Sequence, residues 1–171
     1  MNEHLTENLL IIGAGQYGRV AEETAQATGR FDEIAFLDDL NEAAVGKIAD
    51  CEKFVSRYPN AFAAIGNADL RSEIIGRLEK AGYNVVTLIS PRAYVAPSAT
   101  LGKGVIVEPM AVVNAHAVVG TGTLVCAGAI INHNAVVGDG CQIDCGGVVG
   151  AGAEVPVKTK IGCNEVFKTK F

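Results

Sequence analysis

The sequence predicts two units in tandem, a small parallel α/β sheet followed by a parallel β-solenoid, and three observations predict it. Aromatic and charged residues are concentrated before about residue 92, whereas Gly, Ala and Val dominate after it. Before that change, short apolar runs alternate with stretches of helical periodicity. After it, an aliphatic residue stands at every sixth position from Val95 to Ile161, twelve in succession. The expected domains are therefore residues 1–91 and 92–171.

In the first unit, Leu9 to Ile12 is a short apolar run that ends in Gly13-Ala14-Gly15-Gln16-Tyr17-Gly18, and the following RVAEETAQATG reads as a helix stopped by Gly29. Ile34 to Leu37 ends in Asp38-Asp39, and Phe62 to Ile65 ends in Gly66-Asn67. Leu70, Ile74, Ile75 and Leu78 recur at helical spacing, with Gly82 as the stop, and Val85 to Ile89 is expected as a fourth strand. Strands and helices alternating at this length predict a Rossmann-like sheet with its ligand edge at the strand ends.

The glycine turn admits three readings. Glycines let a phosphate approach the backbone while the helix N-terminus offers free N–H groups and a positive dipole end. A dinucleotide cofactor is the first thought, but the unit ends after some 90 residues and leaves room for one mononucleotide-binding half. A nucleotide or nucleotide sugar is the reading carried forward. Close helix–strand packing alone is the third.

In the second unit Val95, Leu101, Val107, Val113, Val119, Val125, Ile131, Val137, Ile143, Val149, Val155 and Ile161 form the repeat, and the fourth residue after each is mostly Ala or Gly. Such a period means short strands that turn a corner, drop an aliphatic side chain inward and stack on the next coil, with small residues where the corner is tight. An ice-binding surface is the bland alternative, but it calls for ranks of Thr, and Thr is sparse here. The residues just before the aliphatics are also apolar (Ile106, Val112, Val118, Leu124, Ile130, Val136, Val148), an outward stripe that a threefold ring would bury.

Composition excludes other classes. A net charge of −5 without a basic cluster gives nucleic acid no electrostatic footprint. No apolar run is long enough to cross a bilayer. The polar start MNEHLTEN lacks a secretory pattern, which together with five irregularly spaced cysteines predicts a cytoplasmic location. Neither the spacing of Cys141 and Cys145 nor any nearby second pair fits zinc, so no metal is expected.

Taken together, FLDD after the second strand, AIGN after the third, the junction ISPRAYVAPSATLG and the repeat segment INHNAVVGDG resemble the sialic acid O-acetyltransferase and UDP-amino-sugar N-acetyltransferase family of hexapeptide-repeat acyltransferases. The resemblance implies a left-handed parallel β-helix of triangular coils, a homotrimer, and acetyl-CoA as co-substrate between neighbouring β-helices. It implies that the α/β unit holds a nucleotide sugar through Gly13, Gly15, Gln16, Tyr17, Asp38, Asp39, Gly66 and Asn67. Uracil or ribose falls to Asp38 and Asn67.

By the same resemblance His133 is the general base, and the backbone N–H of Ala151, eighteen residues on and therefore one coil later, is the oxyanion donor. Gln142, Ala151 and Gly152 are assigned to CoA. His116 is assigned to the groove wall beside Asn134. The sequence also departs from the family. Asn134 follows the base where an acid is usual; Asp139 and Asp144 are the carboxylates nearest in sequence to compensate. Gln142 replaces a histidine, Tyr17 replaces the histidine of a GHG turn, and CNEVFKTKF ends the repeats early for the family, which suggests a shorter CoA site. The expected function is acetyl-CoA-dependent N-acetylation of a nucleotide-activated amino sugar for surface glycans. Sialic acid O-acetylation and a catalytically weakened ligand-binding trimer are the alternatives.

Overall fold

The computed structural model describes residues 7–168. Residues 1–6, on which much of the cytoplasmic reading rests, and the last three residues lie outside that range. The chain divides into two compact units, Met1–Val86 and Thr87–Phe171. No helix among the described residues is long and apolar enough to cross a membrane.

The first unit is a four-stranded parallel sheet. Its elements are β1 (Leu9–Ile12), α1 (Gln16–Thr28), β2 (Ile34–Leu37), a 3₁₀ segment (Ile48–Phe54), β3 (Asn60–Ala63), α2 (Ala68–Lys80) and β4 (Asn84–Val85), with strand order β2-β1-β3-β4. LLII is apolar at every position because β1 is central and fully buried. Helix α1 ends where Gly29 takes φ 63° and its N–H returns to the Gln26 carbonyl. Helix α2 differs from expectation by one position. Leu70 is 44% exposed, and Arg71 joins Ile74, Ile75 and Leu78 on the buried face.

The expected fourth strand, Val85 to Ile89, is two strands. Asn84–Val85 pairs with β3, while Leu88–Ile89 pairs with Ile106–Val107 and belongs to the second unit. One apolar run thus serves two sheets, which periodicity over five residues does not reveal.

The second unit is a left-handed parallel β-helix whose two-residue strands stack on three faces. The first face holds Leu88–Ile89, Ile106–Val107, Leu124–Val125, Gln142–Ile143 and Lys160–Ile161; the second holds Tyr94–Val95, Val112–Val113, Ile130–Ile131, Val148–Val149 and Val166–Phe167. The third holds Thr100–Leu101, Val118–Val119, Val136–Val137 and Glu154–Val155. There are fourteen strands where the aliphatic repeat marks twelve, because Ile89 and Phe167 extend it at either end. From Val95 onward the second residue of each pair points inward. With Ala111, Ala117, Ala129, Ala135 and Ala153 at the corners, all 0% exposed, these side chains form one continuous core.

From Gly104 onward each turn carries a left-handed residue. Gly104, Met110, His116, Gly122, Gly128, Asn134, Gly140, Gly146, Gly152, Lys158 and Asn164 follow one another six apart, with φ between 56° and 69°. Glycine adopts this conformation freely, and Asn and His tolerate it better than most residues.

The single apolar stripe does not exist. Three hexapeptides make one coil, so successive outward residues fall on successive faces. Ile106 and Leu124, on the first face, are no more than 1% exposed. Val118, Ile130 and Val136 are 41%, 37% and 42% exposed on the third and second faces.

Two substitutions test the corner geometry by thermal or urea unfolding. Met110→Gly should stabilise the protein by about 0.5–1 kcal/mol, because relief of a left-handed β-carbon outweighs the added chain entropy. Gly138→Ala should destabilise it by about 1–3 kcal/mol, since the new β-carbon would come 2.7 Å from the Val157 backbone nitrogen. Equal stability of Gly138→Ala and wild type would contradict the packing described.

Candidate active site

In the first unit the chain leaves β1 toward β2 and later crosses to β3 on its other side, so a crevice opens at the carboxyl end of β1. The glycine turn lies there. Gly13 has φ 99°, and a β-carbon on it would stand 2.9 Å from the Ala64 carbonyl oxygen. A β-carbon on Gly18 would overlap the Gly13 carbonyl. Gly15 is different. Its φ is an ordinary −72° and nothing lies within 4 Å of where a side chain would begin. The fold demands glycine at 13 and 18 but not at 15, where open space adjoins the α1 N-terminus. No side chain caps that terminus, so it is the point suited to an anion. Gln16 is exposed and Tyr17 half-buried beside it.

The residues expected to touch a nucleotide already have backbone duties. Asp38 Oδ2 accepts from the Ala14 N–H at 2.8 Å, and its Oδ1 accepts from Leu40 and Asn41 at 2.8 and 2.9 Å. The Ala14 bond first, then that from Leu40, holds its carboxyl below the usual carboxylate range. Asp39 Oδ1 accepts from the Ile48 N–H at 3.1 Å. Asn67 Oδ1 caps α2 through the Leu70 N–H at 2.9 Å. Gly66 is exposed, and its carbonyl, with that of Ile65, accepts from the Arg71 guanidinium at 3.0 and 2.6 Å. Arg71, which shapes this loop from within, carries no sequence signal, since an arginine in a helix ordinarily reads as solvated. Between α1 and β2 lies a cleft of about 250 Å³ bordered by Ala14, Arg19, Phe36, Asn41, Ala44 and Val45. The Arg19 guanidinium stands 4.8 Å over the Phe36 ring.

In the second unit, the histidines occupy the corner between the second and third faces. His133 is exposed, and its neighbours one coil away are Ala115 and Ala151: Asn134 N–H donates to the Ala115 carbonyl and Gly152 N–H to that of His133, both at 3.0 Å. His133, Asn134, Ala151 and Gly152 therefore come together. His116 stands in the left-handed position below Asn134, and its N–H donates to Ser98 Oγ at 3.1 Å. Its backbone duty gives it a structural reason to be there.

Asn134 contacts the His133 ring directly, with its Nδ2 lying 3.0 Å from His133 Nδ1. In that orientation the amide donates, Nδ1 accepts, and the neutral ring carries its proton on Nε2. Rotating the carboxamide presents Oδ1 instead, so that Nδ1 donates and the Nε2 lone pair is free to act as a base. An amide supports both tautomers; a carboxylate would support only the second. Neither expected compensating acid reaches the ring. Asp139 accepts from the Thr121 N–H at 2.7 Å at the corner between the third and first faces. Asp144 lies at the corner between the first and second faces, 3.1 Å from Lys160 Nζ. Gln142 is on the first face, donating to Asp144 at 2.6 Å, so one chain does not bring it to His133.

Residues 8–78 match the model of the PglD N-terminal domain family. The chain is 27% identical over 114 residues to UDP-N-acetylbacillosamine N-acetyltransferase of Bacillus subtilis (strain 168), a match covering 59% of this chain and 51% of that protein. It thus spans about half the length of that curated relative. Among solved structures, the acetyltransferase domain of PglB from Neisseria gonorrhoeae FA1090, in complex with acetyl coenzyme A, superposes with a TM-score of 0.82 at 28% identity, covering 94% of this chain and 87% of that one. A histidine-to-asparagine variant of perosamine N-acetyltransferase from Caulobacter crescentus, in complex with CoA and GDP-perosamine, gives a TM-score of 0.62 at 26% identity, covering 90% of each chain.

Asp38 yields a pH-dependent prediction. Its lowered folded pKa means that its contribution is fully present above about pH 4 and lost as pH falls through the folded value. Asp38→Asn should therefore cost about 1–3 kcal/mol at neutral pH, and the gap should shrink on acidification. A gap that is the same at neutral and acid pH in urea unfolding would contradict this.

Proposed function

We propose that the chain is a hexapeptide-repeat acyltransferase of the kind that includes the sialic acid O-acetyltransferases and UDP-amino-sugar N-acetyltransferases, and that it transfers acetyl from acetyl-CoA to the amine of a nucleotide-activated amino sugar. The observation that carries the proposal is the stacking of His133 one coil before Ala151. It supports the reading, because an imidazole and the backbone N–H of an exposed residue then share one corner. The substrate amine attacks the thioester carbon, His133 takes its proton, and the departing CoA thiolate receives a proton from the imidazolium. The N-acetyltransferase relatives and their CoA and nucleotide-sugar complexes support this reading.

Within the first unit, the space over Gly15 suits the phosphates, and the cleft beside Phe36 and Asn41 suits the base. The exposed outward residues Tyr94, Ile130 and Val166 on the second face, with Val118 and Val136 on the third, flank the histidine corner on both sides. They support a homotrimer in which neighbouring copies cover these faces and complete the CoA groove. Gln142 would reach CoA there only from a neighbouring copy. A cytoplasmic location, where acetyl-CoA is available, agrees with five free cysteines. The amide at Asn134 favours a slower enzyme than one bearing an acid there.

Gly15→Val should leave unfolding unchanged, because the site is sterically open, yet abolish binding of UDP- and GDP-linked sugars measured by calorimetry. Binding equal to wild type would overturn the phosphate assignment.

For the chemistry, His133→Ala should lower kcat by a factor of about 10²–10⁴ with acetyl-CoA affinity little changed. Asn134→Asp should raise the rate at neutral pH and move the acid limb of the pH–rate profile upward, by favouring the tautomer with Nε2 free. His116→Ala should have a smaller effect. An undiminished rate in His133→Ala would remove the catalytic assignment, and a loss confined to His116→Ala would transfer it to the other histidine.

A further inference from the structure

The corner between the second and third faces recurs on three successive coils as Asn114-Ala115-His116, Asn132-His133-Asn134 and Gly150-Ala151-Gly152. On the first of these, Asn114 Oδ1 accepts from the Ala115 N–H at 2.9 Å. On the second, Asn132 Oδ1 accepts from the His133 N–H at 2.8 Å. The two asparagines also stack, Asn114 Nδ2 standing 3.5 Å from Asn132 Oδ1. In both coils a side chain folds back and consumes the backbone donor of the next residue. The third coil has glycine in the asparagine column. Among the described residues the Ala151 N–H has no acceptor, and Ala151 is exposed.

We infer that Gly150 is a positioning residue that acts by lacking a side chain, keeping the Ala151 N–H open for the thioester oxygen. The inference rests on the acetyl-transfer reading above. When the amine lone pair forms the C–N bond, the carbonyl π pair moves onto oxygen, and that oxyanion needs a donor already aimed at it. As the oxyanion reforms the carbonyl, the C–S bond breaks and the thiolate leaves. A capped N–H would have to give up its asparagine bond at the moment of reaction, so preorganisation would be lost.

Packing does not by itself demand glycine here. Gly150 has no left-handed φ, and a β-carbon on it would meet the Phe167 carbonyl oxygen at 3.2 Å, a contact that a shift of a few tenths of an ångström relieves. Gly138, whose β-carbon would come 2.7 Å from backbone, is the opposite case. The chain itself shows that this column accepts asparagine, at 114 and 132.

The test compares wild type, Gly150→Asn and Gly150→Ala in two measurements: steady-state kinetics with acetyl-CoA and a panel of UDP- and GDP-linked amino sugars, and backbone amide hydrogen exchange at Ala151. Gly150→Asn should slow exchange at Ala151 and lower kcat about a hundredfold, with KM for acetyl-CoA within about twofold. Gly150→Ala should keep fast exchange and stay within a few-fold of wild type. Slowed exchange in Gly150→Asn with kcat unchanged would overturn the inference, as would unslowed exchange, or an equal loss in Gly150→Ala, which would mean simple crowding. A wild type inactive on the whole panel would defeat the acetyl-transfer reading and the inference with it, while exchange in Gly150→Asn would still report whether the cap forms.

Discussion

At the corners of the β-helix from Gly122 onward, the N–H of a left-handed residue donates to the carbonyl nineteen residues earlier, as in Asn134 to Ala115, Gly152 to His133, Lys158 to Asp139 and Asn164 to Cys145. Strand pairs eighteen residues apart lock the same register along each face. Because backbone bonds of this kind are costly to leave unmade in a packed solenoid, the register is rigid. The consequence for chemistry is that a residue's role follows from its column as much as from its type. The backbones of His133 and Ala151, on successive coils, are held in fixed register, and only the His133 rotamer is left to place the imidazole.

The same constraint explains the residues that look anomalous in a linear reading. Asn134 stands where the resemblance led us to expect an acid, yet it fills a left-handed corner, a conformation that asparagine tolerates. His116 fills the equivalent corner one coil earlier. Each satisfies the backbone first. For Asn134 the chemical consequence is a carboxamide that orients His133 without choosing its tautomer.

The inward aliphatics were legible at a glance, since each sits alone on a six-residue period. The ends of the β-helix were not: Ile89 lay within a run that also reads as an α/β strand, and Phe167 broke the aliphatic pattern though it fills an inward position. The glycine turn was legible as a motif, but only the space around each glycine separates Gly15, left open, from Gly13 and Gly18, which the fold requires. Asp38 and Asn67 illustrate the opposite limit. Their polarity at strand ends suggested ligand contacts, whereas their oxygens hold the Ala14, Leu40, Asn41 and Leu70 N–H groups. The Asn114, Asn132, Gly150 column was present in the sequence throughout; it appears when residues are compared every eighteen positions instead of every six.

The central claim is that one corner of the β-helix supplies both the base and the oxyanion donor. A crystal structure of the protein with acetyl-CoA and a UDP-linked amino sugar tests it most directly. The account predicts the thioester carbonyl oxygen at about 2.7–3.1 Å from the Ala151 nitrogen, with the sugar amine within hydrogen-bond reach of His133 Nε2. Acetyl-CoA bound with its thioester on another face, away from His133 and Ala151, would contradict it.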